Sequence, residues 1–443
     1  MKVLLIGLNF APELIGVGKY SGEFAEWLSE RGHEVRVITA PPYYPGWRVE
    51  AGYQACQYRR ERCGDVDVLR CPLWVPRVPT TAKRIVHLLS FALSSFLPSL
   101  WQGLVWRPDV VWTVEPTAFT IPGALFAARL GRATACLHVQ DLEIEAAFSL
   151  RMLSRSWLAN GLRRAYGWWL RRFDWVTTIS EQMRDQLSAF GVSENRLGLF
   201  RNWVDVETIQ PLKTTSPMRA ELGFGDDQVV AMYAGNMGAK QGVEVLADVA
   251  RQVVDNPKIQ FVLSGAGAAR DKLEVLVEDL PNITLLPLQP SERLNELLNV
   301  ADMHLLPQRP EAESFALPSK LSGMLASGRP VIVQTDGGEL ARAAGECGVV
   351  VPPGDAAAMG AAVIALAKEP KRRRTLARAA RRFAEHNLAR ERILARYEQR
   401  LEQLVEGQFT PKSAMQRLVS TLLLSRMTPA LPPPSDLPPH SQS

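Results

Sequence analysis

Runs of continuous aliphatic residues recur along this chain, and their spacing constrains the fold more than any other feature. KVLLIGL, EVRVITA, DVVWTV, TACLHV and WVTTIS lie in the first half, and VVAMYAG, IQFVLSG, ITLLPL, DMHLLP, PVIVQ and GVVVP in the second. Helical patterns separate them. A strand that is apolar on both faces must be covered on both, as happens when helices flank a parallel sheet. The pattern therefore predicts an α/β chain of two Rossmann-like, doubly wound parallel-sheet domains. Residues 201–227, with mixed polarity and two prolines, interrupt the series and are expected to link a domain of residues 1–200 to one of residues 228–386. With 443 residues, 47% of them hydrophobic, the chain has enough material for two large cores. Residues 407–443 are rich in Pro and Ser, lack apolar periodicity and are expected to be disordered.

Cysteines and charge narrow the setting. The five cysteines, at positions 56, 63, 71, 136 and 347, form no CxxC pair, so neither a disulfide framework nor a zinc ribbon is indicated. The opening MKVLLIGLNF has too short an apolar run for an export signal and reads as a first strand, which points to the cytoplasm. Lys and Arg exceed Asp and Glu by 23 to 18 in residues 1–200 and balance at 28 to 28 beyond. Within that basic half, residues 151–175 interleave six arginines with Trp157, Trp168, Trp169 and Trp175, a composition suited to an anionic membrane surface. Inward-packed tryptophans with arginines in water are the competing possibility. Residues 85–106 are long and apolar but carry His87, Pro98 and Gln102, which suits a helix partly open to lipid better than a span. Nucleic acid is not expected as a partner, because the charge is moderate and no recognisable nucleic-acid module is present.

In a doubly wound sheet, ligands bind where strands end and helices begin. In SFALPSKLSGMLASGRPVIV, Pro318 and Ser319 suit a first helical turn, whose free N–H groups attract phosphate, and Lys320 adds a full charge there. After VVAMYAG come Gly235, Asn236 and Lys240, and after IQFVLSG come Gly265, Gly267 and Arg270. Three such elements at one edge predict a nucleotide diphosphate site. The first strand leads into Gly16 and Gly18 before a helix, but Ser21 stands where a dinucleotide fingerprint needs a third glycine or alanine, and Ile38-Thr39-Ala40 lacks the ribose-binding acid. A nicotinamide enzyme is therefore disfavoured. His138 and Asp141, at the end of TACLHV, are candidates to deprotonate an acceptor hydroxyl, with helix capping or core packing as the alternative; Glu115 is a further cleft candidate. Asp65-Val66-Asp67 has the spacing of a manganese-binding pair, yet it precedes a short strand far from the donor loops and reads as a turn.

The whole arrangement resembles the GT-B fold, family 4 retaining glycosyltransferases. LLIGLNFAPELIGVGKYSGEFAEWLSERGHEVRVITAPPYYPGW together with HVQDLE, TTIS, RNWVD, YAGNMGAKQG and PSKL is similar to the colanic acid WcaI and WbuB-like subgroup, over residues 1–405. The resemblance implies an N-terminal acceptor domain, a C-terminal nucleotide-sugar domain, and a last helix, residues 387–406, returning to the first domain. It further implies sugar transfer to a lipid-linked saccharide in exopolysaccharide assembly, with GDP-fucose as first donor and a UDP-hexose or UDP-N-acetylhexosamine as the alternative. No cofactor or metal is needed, since dipoles and basic side chains meet the leaving phosphate. Two glutamates usual in the family fall here on Phe315 and Gly323, so Glu313 or Glu311 would have to substitute, and Lys320 with Arg270 would supply the positive charge. Their loss leaves open a noncatalytic nucleotide-sugar-binding subunit.

Overall fold

The computed structural model describes residues 1–13, 16–116, 118–141, 156–238, 241–310 and 317–409. The predicted tail beyond Phe409, and the candidates Lys240 and Glu313, lie outside them, while residues 407–409 continue the last helix.

Each aliphatic run forms a strand. The first sheet holds β1 (Lys2–Ile6), β2 (Glu34–Thr39), β3 (Arg59–Cys63), β4 (Val66–Arg70), β5 (Val110–Glu115), β6 (Thr134–Val139), β7 (Trp175–Thr178) and β8 (Leu197–Leu199), in the order β3-β4-β2-β1-β5-β6-β7-β8. The second holds β9 (Val229–Ala234), β10 (Ile259–Ser264), β11 (Ile283–Leu286), β12 (Met303–Leu306), β13 (Val331–Gln334) and β14 (Gly348–Val351), ordered β11-β10-β9-β12-β13-β14. All neighbours are parallel except β3 and β4, which form an antiparallel hairpin. Strand β3, RRERC, carries no aliphatic run because it is a sheet edge, where charged side chains face water and deter pairing with other chains. Asp65 lies in the turn of that hairpin and Asp67 on β4, where it pairs with Arg62 at 3.1 Å.

The helices are α1 (Gly16–Glu30), α2 (Thr81–Trp101), α3 (Ile121–Gly131), α4 (Ser156–Leu170), α5 (Glu181–Ala189), α6 (Pro217–Glu221), α7 (Val245–Arg251), α8 (Arg270–Val277), α9 (Leu294–Leu298), α10 (Ser319–Ala326), α11 (Gly338–Cys347), α12 (Ala356–Lys368), α13 (Pro370–Asn387) and α14 (Arg390–Phe409). They cover both faces of both sheets, so each sheet separates two buried clusters. Central strands such as β5, β6 and β9 are buried at every position, which is why their sequences are aliphatic without alternation.

The chain crosses between the sheets twice, side by side: Val204, on the way out, bridges to Ala389 on the way back. Helix α14 then packs on the first sheet. Its Tyr397 stacks on Phe200 with ring centroids 3.7 Å apart and accepts a hydrogen bond from Trp112 Nε1 at 2.8 Å, while Glu398 accepts from Trp27 Nε1 at 2.9 Å. A second tie joins the domains at their strand ends. Glu339, in the first turn of α11, accepts the backbone N–H of Glu181 at 3.0 Å and pairs with Arg201 at 2.5 Å. Because α5 follows β7 and α11 follows β13, this contact sets the C-terminal edges of the two parallel sheets opposite each other.

The two candidate membrane segments fold differently. Of the four tryptophans of residues 151–175, Trp175 is buried on β7 and Trp169 packs against the core, while Trp168 is exposed under the Arg172 guanidinium; the side chain of Trp157 is outside the described residues. Residues 85–106 form most of α2 and a following π turn, Gln102–Trp106. The buried face of α2 carries His87, Leu88, Phe91, Ser95 and Ser99, with Ser95 and Ser99 hydroxyls donating to carbonyls one turn back. Its open face carries Leu89, Leu93, Leu97 and Trp101, and Leu93 and Leu97 are 76% and 71% exposed. A helix whose large aliphatic residues point away from its own protein has the polarity of a lipid-facing surface.

Candidate active site

Strand order explains why three loops distant in sequence meet. In the second sheet β9 lies between β10 and β12, so the connections after β9, β10 and β12 emerge side by side at a topological switch point. They bring together Gly235, Asn236, Gly265, Gly267 and Lys320.

Two of these loops are laced by backbone hydrogen bonds: Gly235 N–H to Ser264 at 2.9 Å, Met237 N–H to Ala266 at 2.8 Å, and Ala269 N–H to Met237 at 2.8 Å. The lacing requires glycine. A Cβ on Gly265 would lie 1.9 Å from the Gly235 carbonyl oxygen, and one on Gly267 would lie 2.6 Å from Met237 O; both residues also have positive φ, +151° and +148°. These glycines permit loop-on-loop approach first, and the resulting rim of backbone is what a ligand would meet.

Lys320 follows Pro318 and the exposed Ser319 in the first turn of α10. Its ammonium lies 4.5 Å from the Tyr233 ring centroid, donates to Tyr233 Oη at 2.5 Å and reaches Asn236 O at 3.4 Å. The Tyr233 hydroxyl in turn donates to Asn236 O at 2.5 Å. A Cβ on Gly235 would come 3.4 Å from Nζ, so the glycine keeps the ammonium close to the loop backbone. Burial lowers the Lys320 pKa from 10.5 to about 8. Among the described residues no carboxylate pairs with it, whereas nearby cations are neutralised: Arg309 and Lys272 pair with Glu244 at 2.8 Å and 3.5 Å. A desolvated ammonium with no carboxylate partner among the described residues, beside a helix N-terminus, has the electrostatics of a candidate anion site.

Arg270 does not share that role. Its guanidinium donates through Nη1 to Gly265 O at 2.9 Å and Leu286 O at 2.6 Å and through Nε to Glu274 at 2.7 Å, so in this arrangement it chiefly fastens the Gly265 loop.

On the first sheet, His138 corrects the expectation drawn from its position. It is 1% exposed, stacked on Trp112 with ring centroids 5.7 Å apart and bonded to Thr177 Oγ1 at 3.1 Å. Burial holds its pKa down at about 3, so the imidazole is a neutral core group on the α14 side of the sheet, and it does not open on the cleft. Strand alternation decides this: one residue earlier or later the side chain faces the other way. Asp141 is exposed just beyond β6, at the edge facing the second domain. Glu115, ending β5, is buried and accepts from the Tyr166 hydroxyl at 2.7 Å.

In the loop after β1, Gly16 has φ +61° and opens α1. Gly18 packs against Glu13, where a Cβ would approach Oε2 to 2.7 Å. Glu13 is a residue the sequence reading passed over. It is 3% exposed, accepts backbone N–H groups of Tyr43 and Tyr44 at 3.0 Å and 2.9 Å and Asn9 Nδ2 at 2.9 Å, and burial raises its pKa. Its signal was faint: an acid set between Pro12 and Leu14 in an apolar loop. Tyr233 was likewise missed because it reads as the aromatic of a buried strand.

Two facing α/β domains, with an anion-ready lysine at the strand ends of the second, define a GT-B glycosyltransferase, and comparison with known proteins agrees. Residues 16–203 match the glycosyl transferase 4-like domain and residues 228–369 the glycosyl transferases group 1 domain. The chain belongs to the glycosyltransferase family that includes a protein of Escherichia coli K12 named as the colanic acid biosynthesis glycosyl transferase WcaI, with 37% identity over 90% of this chain and 98% of that one. In fold it is similar to sucrose-phosphate synthase of Thermosynechococcus elongatus, with TM-score 0.72, 19% identity and coverage of 92% and 100% of the two chains. It is also similar to Anabaena HepE in complex with UDP and glucose, with TM-score 0.64, 14% identity and coverage of 91% and 100%.

Proposed function

We propose that this glycosyltransferase moves a sugar, with retention of anomeric configuration, from a nucleoside diphosphate sugar to a lipid-linked saccharide during exopolysaccharide assembly. One observation carries the donor side: the Lys320 ammonium, desolvated and without a carboxylate partner among the described residues, held over Gly235 at the N-terminus of α10. As the glycosidic bond breaks, charge gathers on the departing diphosphate, and a preorganised ammonium and helix dipole stabilise it. In this reading no metal or cofactor enters the step. Asp141, on the opposing edge, is the acceptor-side candidate, and the neutral core His138 drops out of the proton transfer.

GDP-fucose is the first donor to test, on the likeness to the colanic acid relative. UDP-sugars are the alternative, favoured by the UDP bound in the HepE neighbour. The open aliphatic face of α2, with Lys83 and Arg84 in its first turn, supports the reading that the protein attaches to an anionic leaflet, for which the inner face of the cytoplasmic membrane is the proposed location. Calorimetry with GDP, UDP and NAD, followed by turnover with the matching sugars on a membrane extract and NMR of the product anomer, tests this. Binding of NAD alone would reject the donor site, nucleotide binding without turnover would favour a noncatalytic binding subunit, and an inverted anomer would reject retention.

A further inference from the structure

A cavity of about 870 Å³ opens where the loops after β2 and β4 meet α2. Because β1, β2 and β4 are parallel, it lies at the same sheet edge as the loop holding Glu13, the edge that faces the second domain. Its walls include Trp47, Leu73, Trp74 and Val75, and its rim carries Arg48 and Arg77. Both arginines are exposed, and neither is ion-paired among the described residues. The walls are tied to α2: Trp74 donates its N–H to Ser90 Oγ at 3.0 Å, and Trp74 O bonds to His87 Nδ1 at 2.7 Å. Ser90 itself lines the cavity, next to Leu89 on the open aliphatic face of that helix.

An apolar hollow with two guanidinium groups unpaired among the described residues, continuous with the open aliphatic face of α2, matches one kind of ligand: an amphiphile with a phosphate joining its apolar chain to a polar head. We infer that this cavity is the subsite for the lipid-phosphate junction of the acceptor, with Arg48 and Arg77 meeting the phosphate and the chain running out along α2. The inference rests on the lipid-linked acceptor proposed above. It adds that the phosphate is read by the protein, beyond general attraction to the membrane.

Dodecyl phosphate below its micelle concentration serves as the probe, measured by calorimetry against dodecanol and inorganic phosphate. Dodecyl phosphate should bind more tightly than either fragment, and the double variant R48Q/R77Q should weaken it at least tenfold while leaving dodecanol unchanged. Both side chains are exposed, so the variant should keep the wild-type melting temperature, and nucleotide affinity measured on the same samples is the control. Equal dodecyl phosphate affinity in wild type and variant would overturn the subsite while leaving the donor site intact. Failure of the wild type to bind any nucleotide would instead strike the proposed function. If the variant loses flotation with phosphatidylglycerol vesicles yet binds dodecyl phosphate normally, the arginines serve the bilayer headgroups and the acceptor assignment falls.

Discussion

Replacing Lys320 with Met should move stability and ligand affinity in opposite directions. The ammonium is half-buried and, among the described residues, is paired with dipoles only, and the fall of its pKa from 10.5 to about 8 corresponds to about 3 kcal/mol against the charged form. Water reaching the side chain reduces that to about 1–2 kcal/mol. The folded pKa lies below the unfolded one, so the destabilisation is fully present below pH 8, fades between pH 8 and 10.5, and is absent above. An apolar side chain of similar length removes it, and Tyr233 keeps its bond to Asn236 O, so Lys320→Met should be more stable than wild type at pH 7 by about 1 kcal/mol or more. A charge-assisted contact to the diphosphate is worth about 2–3 kcal/mol, so nucleoside diphosphate affinity should drop roughly 30- to 150-fold. In wild type, affinity should decline above pH 8, and binding near pH 8 should draw in a proton. Guanidinium titration measures the first effect; calorimetry in buffers of different ionisation enthalpy measures the others. A variant that melts earlier, or binds within threefold of wild type, would show that Lys320 is a structural partner of Tyr233 and would refute the anion-site argument.

Other changes test the remaining parts. Gly265→Ala places a methyl 1.9 Å from Gly235 O, which no rotamer can relieve, so the loops must separate; a loss of more than about 2 kcal/mol in denaturant melts and of nucleotide binding is expected, and an unperturbed melt would contradict the lacing. Leu93→Glu with Leu97→Glu, both on the open face of α2, should abolish flotation with anionic liposomes at unchanged melting temperature. His138 and His304 are both buried with pKa values near 3, below their unfolded value of 6.5. Their neutral forms therefore stabilise the fold above pH 6.5, and each should cost up to about 1.4 kcal/mol per pH unit as the pH falls toward 3. His138→Phe should flatten that acid slope without shifting the pH profile of turnover; a shifted profile would return His138 to the chemistry. Glu339→Ala removes the Arg201 and Glu181 contacts between the domains and should broaden the interdomain distance distribution in small-angle scattering while leaving each domain folded.

Much of the loop cluster around Lys320 was legible in the sequence, though for an incomplete reason. Gly265 and Gly267 were picked out as sites of close ligand approach; their immediate need is the neighbouring loop, a contact that exists only once β10 lies beside β9. Arg270 looked like a phosphate ligand from its place after a strand, yet its rotamer turns it onto the carbonyls of residues 265 and 286. Tyr233 and Glu13 escaped notice because their roles depend on partners 87 and 30 residues away, Lys320 and Tyr43. The charged edge strand β3 was missed because a strand with one open side needs no aliphatic run.

By itself the sequence determined the α/β class and marked the candidate loops, because continuous aliphatic strands and glycine-rich connections are local patterns with few foldings. Tertiary structure alone decided which loops became neighbours, since strand order is set by crossovers that no local pattern encodes. It also decided the fate of each titratable side chain. His138 and Lys320 both sit at strand-to-helix ends in the sequence; alternation along β6 buries the first between Trp112 and Thr177, while the central position of β9 puts the second over an open glycine turn. Burial with neutral partners makes one a packing residue, and burial with no carboxylate partner among the described residues makes the other a candidate anion site.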